Sequence, residues 1–411
     1  MKKDLSISLK QVGFILLLHR VVHNPSSYKF PDCIGLETLS SQLEELIVYL
    51  IDNDFRFISI DELTKELTQT SSKSPFVCFT IDDGYRDVYT NAYPIFKKYK
   101  IPFTLYISNS FINSKPPIWH YIFETILNCN DKIFVPGLGK FFEVKKRAEK
   151  ISIFNKLYNY VRNEINSKIK YEEFINSIMS SNSLESSFYD RFSMLSWKDI
   201  LKISLDPLAT IGCHTLNHLD LSILDYENIV SEISKSKDEI ENELGIKVNH
   251  FSYPYGSFNR VVLNYLKESS FKTALSTAPR TICSTDFKNP FELPRLSFSI
   301  TDDLNSFRKK LSSDNIVNSV SKILELGIQS ISIFAFNKLS IELIKLLEKY
   351  KIKFKIYDTF KKGSNYNEIP VENPFLISPI DDVIICSPNN SCDINSHLDH
   401  VGHKGNRFLL N

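Results

Sequence analysis

The sequence predicts an α/β fold with parallel strands, followed in the chain by a smaller α/β unit. Three observations lead there. Short apolar runs alternate with helical patterns along most of the chain, as in sheets whose parallel strands are joined by helices. The polar residues best suited to chemistry come directly after those runs, where barrels and open α/β sheets keep their sites. The 411 residues, 43% of them hydrophobic, exceed what one ordinary core accommodates.

The first apolar run, 14–18, predicts a buried strand that ends at His19. Helical spacing over 39–51 leads to a short strand at 55–59. Phe76-Val77-Cys78-Phe79-Thr80-Ile81 is the next strand, followed by a helix over 88–98 and a strand over 103–107. The rhythm then breaks from about 108 to 195. This stretch is rich in Lys, Asn, Ser and aromatics, and it predicts a mostly helical insertion with helices near 121–127, 150–163 and 171–179. Trp119 and His120 open it and are read as packing it down. Alternation resumes with strands at 210–213, 250–253, 273–276 and 296–299, and helices at 226–244 and 260–268. From about Val317 a βαβ pattern of its own begins, with strands at 330–336, 354–358 and 382–386 and a helix at 340–350. The expected domains are therefore 1–312, carrying the insertion, and 317–411.

Composition narrows the function classes. A formal net charge of +1 gives no global field for nucleic acid or an anionic membrane. The seven cysteines (33, 78, 129, 213, 283, 386 and 392) form no CxxC pair, and Cys78 and Cys213 sit in strand-like runs. A reducing compartment without a disulfide framework is expected. Polar residues from Asp4 to Gln11 interrupt any secretion-signal core, and the run 12–18 is too short to span a bilayer. The expected location is cytoplasmic, or peripheral to the inner face of a membrane, with no transmembrane segment.

Asp82-Asp83-Gly84 stands where the 76–81 strand stops. Two adjacent acids there are not core residues, because an unpaired buried charge is very costly. His214-Thr215-Leu216-Asn217-His218 follows another strand and brings two imidazoles to one side of a helical turn or tight loop. Two His and one Asp can hold a cation such as Zn²⁺ and leave a coordination position open. The second Asp can then take a proton from the water there, an arrangement suited to hydrolysis of an amide or ester.

Phe79-Thr80-Ile81-Asp82-Asp83-Gly84-Tyr85 resembles the first motif of the polysaccharide deacetylases, a large carbohydrate esterase family. Gly212-Cys213-His214-Thr215-Leu216-Asn217-His218 resembles the second, and Phe251-Ser252-Tyr253-Pro254-Tyr255-Gly256 the third. The likeness covers about residues 12–300 and implies a distorted, incomplete (β/α) barrel. It also implies Asp82 as general base, with Asp83, His214 and His218 as metal ligands. The Tyr255 N–H would help stabilise the oxyanion, and Tyr253 and Tyr255 would line the sugar site. Ile15-Leu16-Leu17-Leu18-His19-Arg20-Val21 is similar to an early motif of a permuted branch, the poly-N-acetylglucosamine deacetylases, and this gives His19 the role of general acid. The third motif often carries an Arg that braces the catalytic Asp. Ser252 stands there instead, and Arg295 is the nearest substitute.

The expected protein is thus a metal-dependent hydrolase that removes an acetyl group, N-acetyl first, from a sugar of a surface glycan or its precursor. Zn²⁺ is the expected ion, with Co²⁺ or Ni²⁺ as alternatives. The expected substrate is an acetylated sugar, oligosaccharide, or lipid- or nucleotide-linked glycan precursor. The rival readings are O-deacetylation or deformylation on the same machinery, and a catalytically silent carbohydrate-binding or scaffold protein. In the C-terminal unit the turn Ala335-Phe336-Asn337-Lys338-Leu339-Ser340 lacks glycine, so a Rossmann-like domain without a nicotinamide cofactor is expected. That unit would serve another ligand, another copy of the chain, or glycan-assembly enzymes. His397, His400 and His403 are read as a surface helix end.

Overall fold

The computed structural model describes residues 11–311 except 28–29, 67–74, 114–118, 284–285 and 287–288, and short segments within 330–409. The described residues divide into two compact units. The larger comprises Lys10–Thr277 with Thr281–Phe307, and the strands from Ser330 onward belong to the other.

The larger unit is built on seven parallel strands: β1 (Gln11–Leu18), β2 (Phe76–Ile81), β3 (Phe103–Ile107), β4 (Ala209–Cys213), β5 (His250–Ser252), β6 (Thr273–Leu275) and β7 (Leu296–Ser297). Their order is β6-β5-β4-β3-β2-β1-β7, parallel at every step. Leu293, just before β7, forms a parallel bridge with Leu275 at the end of β6. The segment 293–297 therefore touches both edges of the sheet, and the strands form a distorted, incomplete (β/α) barrel. Every residue of β2 and β3 is buried, as continuous apolar runs require when both faces are covered. β1, the first strand among the described residues, lies between β2 and β7 and so fills an interior place in the sheet.

Local signals set the connecting helices. Tyr226–Leu244 starts where the Asp225 side chain accepts from the Asn228 N–H, and it stops at Gly245 in the left-handed conformation. The helix expected over 88–98 begins instead with a wider turn, Val88–Ala92, before the α-helix Tyr93–Tyr99.

The insertion carries helices Trp119–Cys129, Arg147–Glu164 and Lys168–Ser181. It also holds an antiparallel hairpin, Lys132–Val135 with Lys140–Glu143, that the helical reading passed over. A core of its own, including Phe123, Phe154, Leu157 and Ile175, holds the insertion together.

In the second unit five strands run parallel: Ser330–Phe334, Lys353–Tyr357, Ile369–Glu372, Val383–Ile385 and Arg407–Leu409. Numbered along the chain, their spatial order is 3-2-1-4-5. The turn 335–340, Asp358 and the three C-terminal histidines lie outside the described residues.

Candidate active site

Four of the predicted residues come off neighbouring strand ends. His19 follows β1, Asp82 and Asp83 follow β2, and His214 follows β4. The Asp82 N–H donates to the Leu18 carbonyl at 3.0 Å, and the His214 N–H to the Ile107 carbonyl at 2.9 Å. Sheet pairing thus continues into the loops and fixes where the side chains leave.

Asp83, His214 and His218 converge, with one ligand atom of each lying within 4.8 Å of the others. Nε2 of His218 is 3.4 Å and Nε2 of His214 3.6 Å from Asp83 Oδ1. His214 Nδ1 lies 2.8 Å from the Ser252 carbonyl. A carbonyl only accepts, so Nδ1 carries the proton and Nε2 presents a lone pair towards Asp83. Asp83 Oδ1 is buried and has no hydrogen-bond partner. An orphaned buried carboxylate oxygen facing two imidazole lone pairs is a donor set that fits a divalent cation. Without one, burial first and the Asp82 charge second push the Asp83 carboxyl up to about 8. Burial likewise lowers both imidazoles, His218 the further, which keeps them in the neutral form that binds metal.

The loop that carries the histidines is tight and not helical. Thr215 and His218 both take left-handed backbone angles, φ 66° and 56°. The Thr215 hydroxyl accepts from the His218 N–H at 3.0 Å. Glu232, in mid-helix, accepts from the Asn217 N–H at 2.8 Å and from its side-chain amide at 2.6 Å.

Asp82 lives in a different environment. Arg295, 1% exposed, donates to both its carboxylate oxygens, at 2.8 and 2.7 Å. The same guanidinium reaches the Ser276 carbonyl at 2.9 Å and the Ser252 hydroxyl at 2.9 Å, and that hydroxyl donates to Asp82 at 3.0 Å. Burial opposes the Asp82 charge, but Arg295 and then His214 hold the carboxyl well below the usual carboxylate range. The position Ser252 occupies is therefore not vacant of function, because its hydroxyl joins Arg295 to Asp82 while its carbonyl orients His214. His19 lines the same cavity, and burial pushes its imidazole down to about 4 against the opposing pull of Asp82.

The polysaccharide deacetylase family profile matches residues 69–127 and 161–274, a span that contains Asp82, Asp83, His214, His218 and the Tyr-Pro-Tyr-Gly turn. Over these residues the chain matches the polysaccharide deacetylase family. Bacillus subtilis YxkH is 21% identical over 265 residues, 64% of each chain. Bacillus subtilis YlxY is 34% identical over 67 residues, 16% of this chain and 21% of its own. The chain thus spans less than two thirds of the length of either curated relative. Among solved structures, the Streptococcus pyogenes deacetylase PplD in complex with acetate aligns at 16% identity and TM-score 0.47, over 72% of this chain and 96% of PplD. IcaB from Ammonifex degensii aligns at 17% and 0.45, over 71% of this chain and 93% of IcaB.

Within this matched region the third motif turns sharply. Tyr255 has φ 59° and Gly256 φ 68°. A Cβ at position 256 would collide with Thr277, backbone included, so glycine is required there. Tyr253 and Tyr255 both line the cavity, of about 170 Å³. The Tyr253 hydroxyl donates to the Phe291 carbonyl at 2.8 Å, so this residue offers its ring. The Tyr255 ring stands 4.9 Å from that of His218, and its hydroxyl accepts from Trp119 Nε1 at 3.3 Å.

Several lining residues escaped the sequence reading. Trp119 and His120, for which packing is favoured over a substrate-wall role in the sequence, both line the cavity, as does Tyr158 of the insertion. His120 Nε2 is buried with no hydrogen-bond partner, and burial pushes the ring down to about 3. Tyr158 lies in the stretch 128–160, outside the family match. The signal for Trp119 and His120 was an aromatic- and His-bearing helix start at the entrance to the insertion; Tyr158, in mid-helix, carried none.

Proposed function

We propose that the protein hydrolyses an N-acetyl group on a sugar of a surface glycan or its precursor, in the presence of a divalent cation, zinc first. One observation carries the reading: two adjacent buried carboxylates stand in opposite settings. Asp82 is locked ionised by Arg295, whereas Asp83 points an unsatisfied oxygen at two neutral imidazoles. Asp83, His214 and His218 would hold the cation. When bound, it would polarise the acetyl carbonyl and acidify the attacking water.

The remaining steps fall to the chain's own groups. Asp82 accepts the proton that water gives up as its oxygen adds to the carbonyl carbon. The Tyr255 N–H, set by the left-handed turn, donates to the developing oxyanion. His19 protonates the sugar nitrogen as the C–N bond breaks, which leaves acetate and an amine. The electrostatics order this transfer. Arg295 keeps Asp82 a weak base, and a free amine is a stronger base than a carboxylate or an imidazole. Net transfer of the proton from water to the departing nitrogen, handed on by His19, therefore runs downhill. Tyr253, Tyr255 and Trp119 form apolar walls for the sugar.

The supporting setting is a cytoplasmic step of glycan assembly, consistent with buried thiols at Cys78 and Cys213. No helix among the described residues is long and apolar enough to cross a membrane. The 3-2-1-4-5 parallel order supports a Rossmann-like reading of the second unit, which would engage a partner enzyme or another copy.

Release of acetate from N-acetylated and O-acetylated sugars, and of formate from N-formylated sugars, by metal-loaded protein tests the reaction. Asp82→Asn should retain metal and lose release, and full activity in that variant would remove Asp82 as the base.

A further inference from the structure

Arg162 stands in the last turn of the insertion helix Arg147–Glu164 and reaches the two loops that carry the chemistry. Its Nε donates to Asp220 Oδ2 at 3.0 Å, and its Nη2 donates both to that oxygen and to the Ser257 hydroxyl. Asp220, its side chain 4% exposed, comes two residues after His218 on the histidine loop. Its other oxygen, Oδ1, accepts from the Ser222 N–H at 3.0 Å and the Ser222 hydroxyl at 2.7 Å, which leaves Oδ2 to Arg162. Ser257 directly follows the left-handed turn at Tyr255 and Gly256. One guanidinium thus spans the loop of the metal ligand and the turn of the oxyanion donor.

The same group stands over the Tyr255 ring, 5.0 Å from its centre, where a cation is attracted to the ring face. Tyr255 needs such support. At φ 59° it holds a backbone conformation that a tyrosine keeps only where its neighbours over-determine it. Arg162 holds the turn from two sides, through the ring and through the residue after Gly256. The planar fork matters as much as the charge, because a lysine ammonium could not match these directions together. Packing of the helix does not call for Arg162, since Phe154, Leu157 and Val161 are buried in the insertion's own core.

Resting on the deacetylase reading, we infer that Arg162 is a positioning residue, which clamps the histidine loop to the Tyr255 turn and so aims the oxyanion donor. The insertion is then a working part of the active site.

The test uses zinc-loaded full-length protein and two probes, the β-linked pentamer of N-acetylglucosamine and 4-nitrophenyl acetate. In Arg162→Gln, kcat should fall about ten- to a hundred-fold on both probes with KM changed by less than about three-fold, because the donor acts only in the transition state. Arg162→Lys should recover part of the loss. Ser257→Ala should lower kcat in the native background and change it little further in Arg162→Gln, since both act on one turn. Zinc affinity of Arg162→Gln, by chelator competition, should fall about three-fold or more, because Asp220 no longer ties down the His218 loop. A kcat within about two-fold of native, or a loss wholly in KM, overturns the proposal. If Arg162→Gln does not fold, Arg162→Lys and Ser257→Ala decide it in the same way: non-additive losses in kcat support the clamp, and additive or absent losses remove it. Native protein that releases no acetate from either probe ends the deacetylase reading, and zinc then decides the clamp: weaker binding in the variants supports it, and equal binding removes it.

Discussion

Replacing Arg295 with Met tests whether the Asp82–Arg295 pair sets the protonation of the site. Met keeps the length and apolar stem but removes every donor. The lost bonds are two to Asp82, at 2.8 and 2.7 Å, one to Ser252 at 2.9 Å, one to Ser276 at 2.9 Å and a longer one to Thr80 at 3.4 Å. Both partners are almost fully buried, with side chains 0% and 3% exposed. Breaking such a pair from one side costs about 3–5 kcal/mol, chiefly because the surviving charge stays desolvated. The cost must depend on pH, and its sign follows from linkage. In the native protein the folded Asp82 pKa is depressed, so its stabilisation is present above the unfolded value and lost as pH falls through the folded one. In Arg295→Met burial remains and the cation is gone, so the folded pKa lies above the unfolded value. Folding then favours the protonated acid, and stability is lost as pH rises towards that raised pKa. The gap between the two proteins should therefore widen with pH, by up to about 1.4 kcal/mol per unit. Urea unfolding of metal-free protein at pH 5, 6 and 7 measures it. Arg295→Met/Asp82→Asn removes the charge as well and should recover part of the loss. A single variant within about 1 kcal/mol of native at every pH, or a double variant no better than the single, would refute the reasoning.

Four further outcomes follow from the same geometry. His214→Ala and Asp83→Ala should each lower zinc affinity by at least ten-fold in a chelator competition, whereas Asp82→Asn should hold one equivalent by elemental analysis. His19 and His120 are neutral in the fold down to about pH 4 and 3, while their unfolded counterparts protonate near 6.5. The unfolded state then binds more protons, so Tm should fall as pH drops from about 6.5 towards 4, and His120→Phe should flatten that slope. Glu232→Gln leaves the 2.8 Å bond from the Asn217 N–H to a weaker acceptor, and should lower metal affinity several-fold with a smaller change in Tm. Arg295→Lys keeps a cation but not the two-pronged contact, and should move the acidic limb of the kcat/KM profile upward, in the direction of Arg295→Met but less far.

The part of the site legible in the sequence is the part carried by short runs at strand ends. Asp82-Asp83 and His214 follow β2 and β4, and an apolar run that stops at acids or imidazoles has few structural uses. Arg295 was legible only through an expected brace missing at Ser252, since an Arg entering a strand has many ordinary partners. Glu232 was not legible. It sits in a helix of interleaved Lys and Glu that reads as a solvated face, and only the folding of the 214–218 loop over it makes it 5% exposed. Tyr158 was hidden, and packing outweighed a wall role for Trp119 and His120, for a related reason: their helices also pack a core of their own, and aromatic spacing reports that core first. The hairpin at 132–143 did leave a trace, two short aromatic runs around Pro136-Gly137-Leu138-Gly139, which the surrounding helical patterns masked.

Backbone strain explains how adjacent residues can serve opposite roles. Successive side chains on a strand alternate between faces, so two acids in regular extension could not both enter one cavity. Asp83 escapes that alternation by taking φ 75°, and Gly84 follows at 87°. Of the seven non-glycine residues with positive φ among the described residues, Asp83, Thr215, His218 and Tyr255 all belong to this site. Each costs on the order of 1–3 kcal/mol and persists only where its surroundings over-determine it. Those surroundings are identifiable: Thr215 and Glu232 hold the histidine loop, Thr277 closes on Gly256, and Ser252 ties His214 to the Asp82–Arg295 pair. The supports are independent of any cation, so the side chains arrive already aimed. Losing a support should therefore weaken metal binding and turnover before it unfolds the barrel, whose parallel core is packed by other residues.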